Sequence, residues 1–413
     1  MSQPSPSAVK RVLLHVGAPK TGTSAVQDIL FTHRDHLRER GILYPADRHD
    51  AHFLAALDLM ELPWGGLERE AAGRWDRLAE EARDWPGTVI ISHEILGRAS
   101  RLQAARALAS LGAPDREVHI VYSARDLVRQ IPAEWQENVK HRRTKPYATF
   151  LADLQDPERG TEVAQWFWGV QEVPDVLDRW ATGVPRAQVH LITVPPPGAP
   201  PTLLWERFAG LFGIDPLELT PSERANVSLG VAESTTIRRL NARVNDVLDG
   251  YGYRRFVREL VVHQHLARRT DSTRLTVPPE VHTWAAGLTR SWVSELALRG
   301  YDVVGDLDDL ISTAPAGGFR DPDTVDEREV AEVALDSLAV MTIEAARLRA
   351  VEKELHGVID DLMGQLDDAH STRVYQTKER LVAASRRNLV ARAGYAMYRA
   401  TYRRLRGRNS RST

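Results

Sequence analysis

Four short apolar runs interrupt a chain otherwise patterned for helices: VLLHV at 12–16, TVIIS at 88–92, VHIVYS at 118–123 and VHLITV at 189–194. Each is bounded by turn residues or helical patterning. Such runs predict buried strands, and their alternation with helices predicts a parallel sheet covered by helices. GILYP at 41–45 fits a short edge strand ended by Pro45. After the first run, Ala25, Val26, Ile29 and Leu30 share one helical face. PPPGAPP at 195–201 reads as a rigid loop, TLLWERFAGLFGI after it as an amphipathic helix, and residues 231–300 as mainly helical. The breaker cluster STAPAGGF ends the pattern, so one α/β domain is expected over residues 8–315.

Beyond it, Leu348, Val351, Leu355, Val358 and Leu362 alternate steps of three and four, the spacing of a coiled-coil seam, over about two heptads. Segment 326–370 therefore reads either as a coil that forms a homodimer or as a helix packed on the domain. Residues 371–413 are a basic tail ending in TYRRLRGRNSRST, with Tyr395, Tyr398 and Tyr402 among its arginines. A solvated, partly disordered tail and a peripheral contact with an anionic membrane surface both fit this composition.

Bulk composition narrows the classes. A chain of 413 residues can bury a large core and suggests two or three structural units. Its formal net charge of −2 gives no global affinity for polyanions, so no specific nucleic-acid partner is expected. With no cysteine there are no disulfides, no thiolate nucleophile and no Cys-ligated zinc. The N-terminus MSQPSPSAVK lacks an apolar h-region, and no stretch approaches the roughly 20 apolar residues of a membrane helix. A cytoplasmic protein is expected.

The chemistry begins at HVGAPKTGTSAVQDIL, residues 15–30. A nucleotide-binding P-loop reads Gly, four residues, Gly, Lys, then Ser or Thr. Gly17 and Gly22 keep that spacing, but Thr23 stands where the lysine belongs and the loop's lysine is Lys20. The glycines let successive N–H groups turn inward, the helix starting near Thr23 adds its positive end, and Thr21, Thr23 and Ser24 add hydroxyls. The loop suits a phosphate-like group with two or more anionic oxygens, although the same residues also make a plain strand-to-helix turn. Moving the cation to Lys20 points to a shorter group than a Walker lysine reaches.

VHIVYSARDLVRQIPAEWQENVKHR at 118–142 repeats strand, polar turn and helix. Arg125 falls just past the strand's C-terminal end, the edge where open α/β sheets bind ligands. Its guanidinium fork can take a phosphate through two contacts; an ion pair with Asp126 is the alternative use of the same group. Two anion-ready strand ends in one sheet ask for a ligand with two separated anionic groups.

These residues resemble the sulfotransferases that use 3′-phosphoadenosine 5′-phosphosulfate (PAPS), in particular bacterial members acting on carbohydrate-type acceptors. The resemblance covers roughly residues 10–230 and is carried by HVG, PKTGTS with a Gln in the next helix, GILYP and RDLVRQIPAEWQENVK. It implies a P-loop NTPase-like three-layer α/β fold with a parallel sheet, here followed by a helical C-terminal extension. It also implies PAPS as co-substrate in place of ATP, with no metal required. Pro19, Lys20, Thr21, Gly22, Thr23 and Ser24 would hold the 5′-phosphosulfate and Arg125 the 3′-phosphate. The family's serine eight residues after that arginine is Ala133 here, preceded by Pro132, and Arg129 is the candidate substitute. One neutral hydrogen bond is worth about 0.5–1.5 kcal/mol, so the departure alters a detail more than the assignment. SERANVSLG at 222–230 matches the family's later nucleotide loop through Arg224, Asn226 and Ser228, and equally suits a cap for the next helix.

Sulfuryl transfer needs an in-line hydroxyl, a base for its proton and positive charge on the departing phosphate. Lys20 would supply the charge. His93 and Glu94, in TVIISHEILGRA, follow a strand end on the same edge. The resembling family takes its base, His or Glu, from this segment, and its carbohydrate-acting members favour Glu, hence Glu94; His93 would need less adjustment near neutral pH. The acceptor is expected to be a hydroxyl of a carbohydrate, glycolipid or small molecule. Trp135, Trp166, Trp168 and Trp180 are candidates to stack on it or to fill the core, and His141, Arg142 and Arg143 to meet an anionic acceptor or lie in solvent. A kinase of related fold and a catalytically silent scaffold are the competing readings. The missing Walker lysine and the lack of an evident Mg²⁺-binding Asp at a strand end weigh against the first, and an intact Lys20 and Arg125 against the second.

Overall fold

The apolar runs come together as the centre of one sheet. The structure, a computed structural model, describes residues 10–219, 228–312, 318–387, 392–394 and 396–397. Its strands are β1 (Arg11–His15), β2 (Ile42–Leu43), β3 (Thr88–Ser92), β4 (Glu117–Ala124), β5 (Val189–Thr193) and β6 (Asp302–Val304). They form a six-stranded sheet in the order β2–β3–β1–β4–β5–β6, every pair parallel. Leu14 of β1 is level with Ile91 of β3 and Ile120 of β4, all three buried. Only helices on both faces allow strands this apolar, because each face must be removed from water.

Side chains alternate between those faces. Leu13, Ile90, Val121 and Ile192 share a core with Val26, Ile29 and Leu30 of helix Thr23–Thr32 and with Phe208 and Phe212 of helix Leu203–Phe212. On the other side the buried Tyr122 hydroxyl donates to the Val170 carbonyl (2.7 Å) in helix Glu162–Gln171. GILYP contributes the two-residue edge strand β2. The region 231–300 contains helices Val231–Val244, Tyr253–His265 and Pro279–Arg299. The sheet has a further edge strand that sequence patterning does not announce: β6 is three residues long and begins with Asp302, which pairs with His190 of β5. A run that short carries no periodicity, so the neighbouring strand decides it.

The chain divides into two units, 1–337 and 338–413. In the first, Val325, Val330 and Val333 are buried, the Thr235 hydroxyl donates to the Pro322 carbonyl, and Arg239 pairs with Glu327. Helix Glu327–Ser371 runs from the first unit into the second, where helix Arg373–Arg387 follows. Of the coil-spaced positions, Val351, Leu355, Val358 and Leu362 are exposed and Leu348 is half-buried. Tyr395, Tyr398 and Tyr402 lie outside the described residues. Among the described residues no helix is long and apolar enough to cross a membrane.

Candidate active site

Strand order locates a crevice. β1 lies between β3 and β4, so the chain leaves β1 toward one side of the sheet and β4 toward the other. In open parallel sheets this divergence opens a crevice at the carboxyl ends of the strands, where ligands bind. The loop after β1 is tied across it: Ala18 N–H donates to Ser123 O (2.8 Å) and Ser123 N–H to Gly17 O (2.6 Å). The buried His15 bridges Ser92 Oγ (2.8 Å) and Ser123 Oγ (3.1 Å), joining β1 to both neighbours. Burial pulls the His15 imidazole down to about 4, so this brace is neutral. The Thr21 hydroxyl is turned inward, donating to Ala18 O (2.7 Å) and contacting Ser123 Oγ (2.5 Å). Thr21 thus stiffens the loop with its side chain.

Gly22 ends the loop at φ 85°, and no side chain caps the helix that follows. Thr23 is buried and Ser24 exposed at that helix start, whose first N–H groups have no partner within the helix. Lys20 also has φ 63°, a conformation that non-glycine residues adopt only where the surroundings impose it. Its carbonyl accepts from Arg125 Nη1 (3.2 Å), and the Pro19 carbonyl accepts from the amides of Gln130 and Gln171. Gly22→Ala should lower unfolding free energy by about 1–2 kcal/mol, the cost of a side chain in the left-handed region, read as a shifted urea midpoint at constant slope. The new Cβ would lie 2.5 Å from Leu204 Cδ2, a side-chain tip that can move, so backbone conformation dominates the cost.

Arg125 and Arg129 differ in how they are used. Asp126 caps helix Leu127–Lys140 by accepting from Arg129 N (2.9 Å) and pairs with the Arg129 side chain, so the Arg125–Asp126 ion pair considered above does not form. Arg129 Nη1 donates to Pro195 O (3.0 Å). What remains is Arg125 Nε and Arg129 Nη2, both buried and without a hydrogen-bond partner. Burial, then the neighbouring Arg129, lowers Arg125 to about 10, leaving it cationic at neutral pH. Unsatisfied buried donors are costly, and two from adjacent guanidinium groups at one strand end fit a bound anion. Ala133 lies within the same helix, one residue after Pro132.

Lys20 Nζ is paired with Glu137. Burial opposes ionisation of Glu137, but a hydrogen bond from His141 and the charges of Lys20 and Lys140 outweigh it and hold its carboxyl well below the usual range. One turn earlier, Glu134 is 5% exposed and its Oε2 is unpartnered. Burial pushes Glu134 up to about 7, with Lys20 opposing and Glu137 and Glu94 adding to the rise.

His93 and Glu94 follow β3, and the His93 N–H donates to His15 O (3.1 Å), extending the sheet to the site. His93 Nδ1 accepts from Ile95 N–H (3.3 Å), capping the short helix Glu94–Arg98. Burial lowers His93, with the Glu94 carboxylate opposing, so the imidazole is neutral at pH 7 and carries its proton on Nε2. Glu94 Oε2 accepts from Gln27 Nε2 (2.8 Å). Desolvation would raise Glu94, but His93 and the Gln27 amide outweigh it and keep the carboxylate ionised. Both residues are partly exposed.

In comparisons with family models, curated proteins and solved structures, the chain matches none.

The residues named from sequence fall into three groups. Pro19, Lys20, Thr21, Gly22, Thr23, Ser24, Arg125, Arg129, His93 and Glu94 meet at the β1–β4 crevice and its β3 flank. Ser228 is exposed; its neighbour Leu229 accepts from Gln136 of helix Leu127–Lys140. Arg224 and Asn226 lie outside the described residues. Among the tryptophans, Trp135, Trp168 and Trp180 are buried core residues while Trp166 is partly exposed. Arg142 is bonded to the carbonyls of Asn245 and Leu248, and Arg143 pairs with Glu162. A cleft of about 430 Å³ at the far end of helix Leu127–Lys140 is lined by Trp135, Asn138 and Lys145 and includes none of the crevice residues. Sequence reasoning did not single out Ser123, Gln130, Glu134, Glu137 or Gln171. Gln130, Glu134 and Glu137 stand at i, i+4 and i+7 on helix Leu127–Lys140, a spacing that sequence could have flagged; Gln171 comes from a separate helix and left no local signal. Among the described residues, no group of three or more His, Asp or Glu is arranged to hold a metal ion.

Proposed function

We propose that this protein is a PAPS-dependent sulfotransferase built on a P-loop NTPase-like core, moving a sulfuryl group to a hydroxyl-bearing acceptor. The observation that carries the reading is the pair of unpartnered buried nitrogens, Arg125 Nε and Arg129 Nη2, beside a loop whose helix start is uncapped. Two anion sites at one crevice fit a co-substrate with a phosphosulfate at one end and a 3′-phosphate on its ribose. That group would supply an activated sulfuryl on a phosphate leaving group. The loop backbone from Pro19 to Ser24 would hold the phosphosulfate, and Arg125 with Arg129 the 3′-phosphate, Arg129 Nη2 standing in for the hydroxyl missing at Ala133.

The chain's own groups then divide the work. Glu94 takes the acceptor's proton as its oxygen bonds to sulfur and the sulfur–oxygen bond to phosphate breaks. Lys20, leaving Glu137, neutralises the phosphate oxygen released by that cleavage. Since His93 Nδ1 accepts a backbone N–H, the neutral ring has a proton on its other nitrogen and donates there, which favours Glu94 over His93 as the base. An ionised carboxylate held low is a weak base, suited to a proton that becomes acidic only as the new oxygen–sulfur bond forms.

Calorimetric titration with 3′-phosphoadenosine 5′-phosphate and with ATP tests the reading. Tight binding of the first and none of the second is expected, with Arg125→Ala weakening it at least tenfold, since hydrogen bonds to charged groups are worth about 1.5–3 kcal/mol. Binding of ATP alone would turn the assignment to a phosphotransferase; binding of neither would reduce the loop to a structural turn.

A further inference from the structure

Four successive carbonyls of the loop after β1 each accept a hydrogen bond. Gly17 O accepts from the Ser123 N–H and hydroxyl, and Ala18 O from the Thr21 hydroxyl. Pro19 O accepts from two buried amides, Gln130 Nε2 (2.5 Å) of helix Leu127–Lys140 and Gln171 Nε2 (3.2 Å) of helix Glu162–Gln171. Lys20 O accepts from Arg125 Nη1 (3.2 Å). A planar trans peptide directs its N–H opposite to its C=O, and the peptides on either side of Lys20 are trans. Holding the Pro19 and Lys20 carbonyls toward Arg125 and the two helices therefore turns the N–H groups of Lys20 and Thr21 the other way. Among the described residues, nothing accepts from the N–H groups of Lys20, Thr21 or Gly22. Three consecutive unpaired N–H groups in a turn, running into an uncapped helix start, form a concavity suited to an anion.

Gln130 is 0% exposed, so it stands behind the loop and not in the ligand's path, and its Oε1 has no partner. A buried acceptor left unpaired is destabilising, which makes glutamine a poor choice for filling this space. The function of the side chain lies in its N–H. Lys20 is held at φ 63°, a strained conformation that persists only where the surroundings over-determine it. Two amides from two helices on one carbonyl do that. We infer that Gln130 and Gln171 are positioning residues, which lock the Pro19–Lys20 peptide so that the Lys20 and Thr21 N–H groups face an incoming anion. With either amide removed the peptide can rotate, Lys20 relaxes toward negative φ, and its N–H turns from the anion. That the anion is the 5′ group of the donor rests on the sulfotransferase reading; the locked loop does not.

The experiment is a calorimetric titration of the full chain with three probes: 3′-phosphoadenosine 5′-phosphate, adenosine 3′-phosphate, which lacks the 5′ group, and pyrophosphate. Gln130→Met is close in shape, removes both polar atoms and leaves Pro19 O its bond from Gln171, so the thermal midpoint should hold. The variant should weaken the bisphosphate roughly tenfold, the scale of a hydrogen bond to a charged group, and leave adenosine 3′-phosphate within about twofold of wild type. Gln171→Met removes the longer bond, should act in the same direction but less, and serves if the Gln130 variant does not fold. Damage to the fold would weaken both nucleotides alike, whereas lost positioning falls on the 5′ group only. Wild-type affinity for the bisphosphate in both variants, or an equal loss for both nucleotides, would overturn the positioning role and leave the sulfotransferase reading standing. Pyrophosphate bound by the wild type and weakened in the variants, with neither nucleotide bound, would overturn the sulfotransferase reading alone. Binding of none of the three would overturn both.

Discussion

Replacing Lys20 by alanine should cut sulfuryl transfer by about 10²–10³-fold, the usual cost of removing one preorganised donor from a developing negative charge. The measurement is 3′-phosphoadenosine 5′-phosphate released from PAPS with a neutral glycoside at saturation. The loss should fall on kcat, because charge accumulates on the leaving phosphate only as the bond to sulfur breaks. Binding of 3′-phosphoadenosine 5′-phosphate should weaken far less, since the loop backbone, the helix start and Arg125 remain. Stability should change little, because the Lys20–Glu137 pair is partly solvent-exposed and such pairs contribute about 0–1 kcal/mol. Unchanged kcat in Lys20→Ala would remove the lysine from the mechanism. Glu137→Gln is the companion variant: it frees Lys20 from its partner and should leave transfer near or above the wild-type rate.

Glu94→Gln should lower kcat by about 10²–10⁴-fold, the range for loss of a general base, while leaving donor binding intact. The amide preserves shape and the contact with Gln27 but cannot accept a proton from the acceptor. The pH profile supplies a second readout. Glu94 is held below the ordinary carboxylate range, so it is deprotonated at every pH above that, and the acid limb of kcat should appear only below that range as protonation removes the base. His93→Asn should retain most of the rate, because Asn can still cap the helix Glu94–Arg98 through its side-chain oxygen. If His93→Asn fell as far as Glu94→Gln, the base would be the imidazole and the Nδ1 contact with Ile95 would have to open during turnover.

Periodicity and β-propensity alone determined the sheet's four long strands, the edge segment at GILYP and the α/β class, because short buried runs flanked by helices have few other folds. The glycine spacing around Lys20 and the position of Arg125 after a strand were equally local, and they singled out two strand ends as candidates for holding an anion. Strand order was beyond local pattern: β1 between β3 and β4, and the three-residue β6 at the far edge, follow from which apolar faces pack together. So was the fate of individual groups. Trp135 and Trp166 read alike in sequence, yet one fills the core and the other stands half-exposed beside Trp64. Asp126 adjoins Arg125 in the chain but pairs with Arg129, one turn on, because the helix start turns its carboxylate that way. Sequence thus determined which chemistry the strand ends could offer. Only tertiary structure decided which nitrogens and carboxylate oxygens stay unpaired and which rings stay partly exposed, since those depend on contacts between residues far apart in the chain.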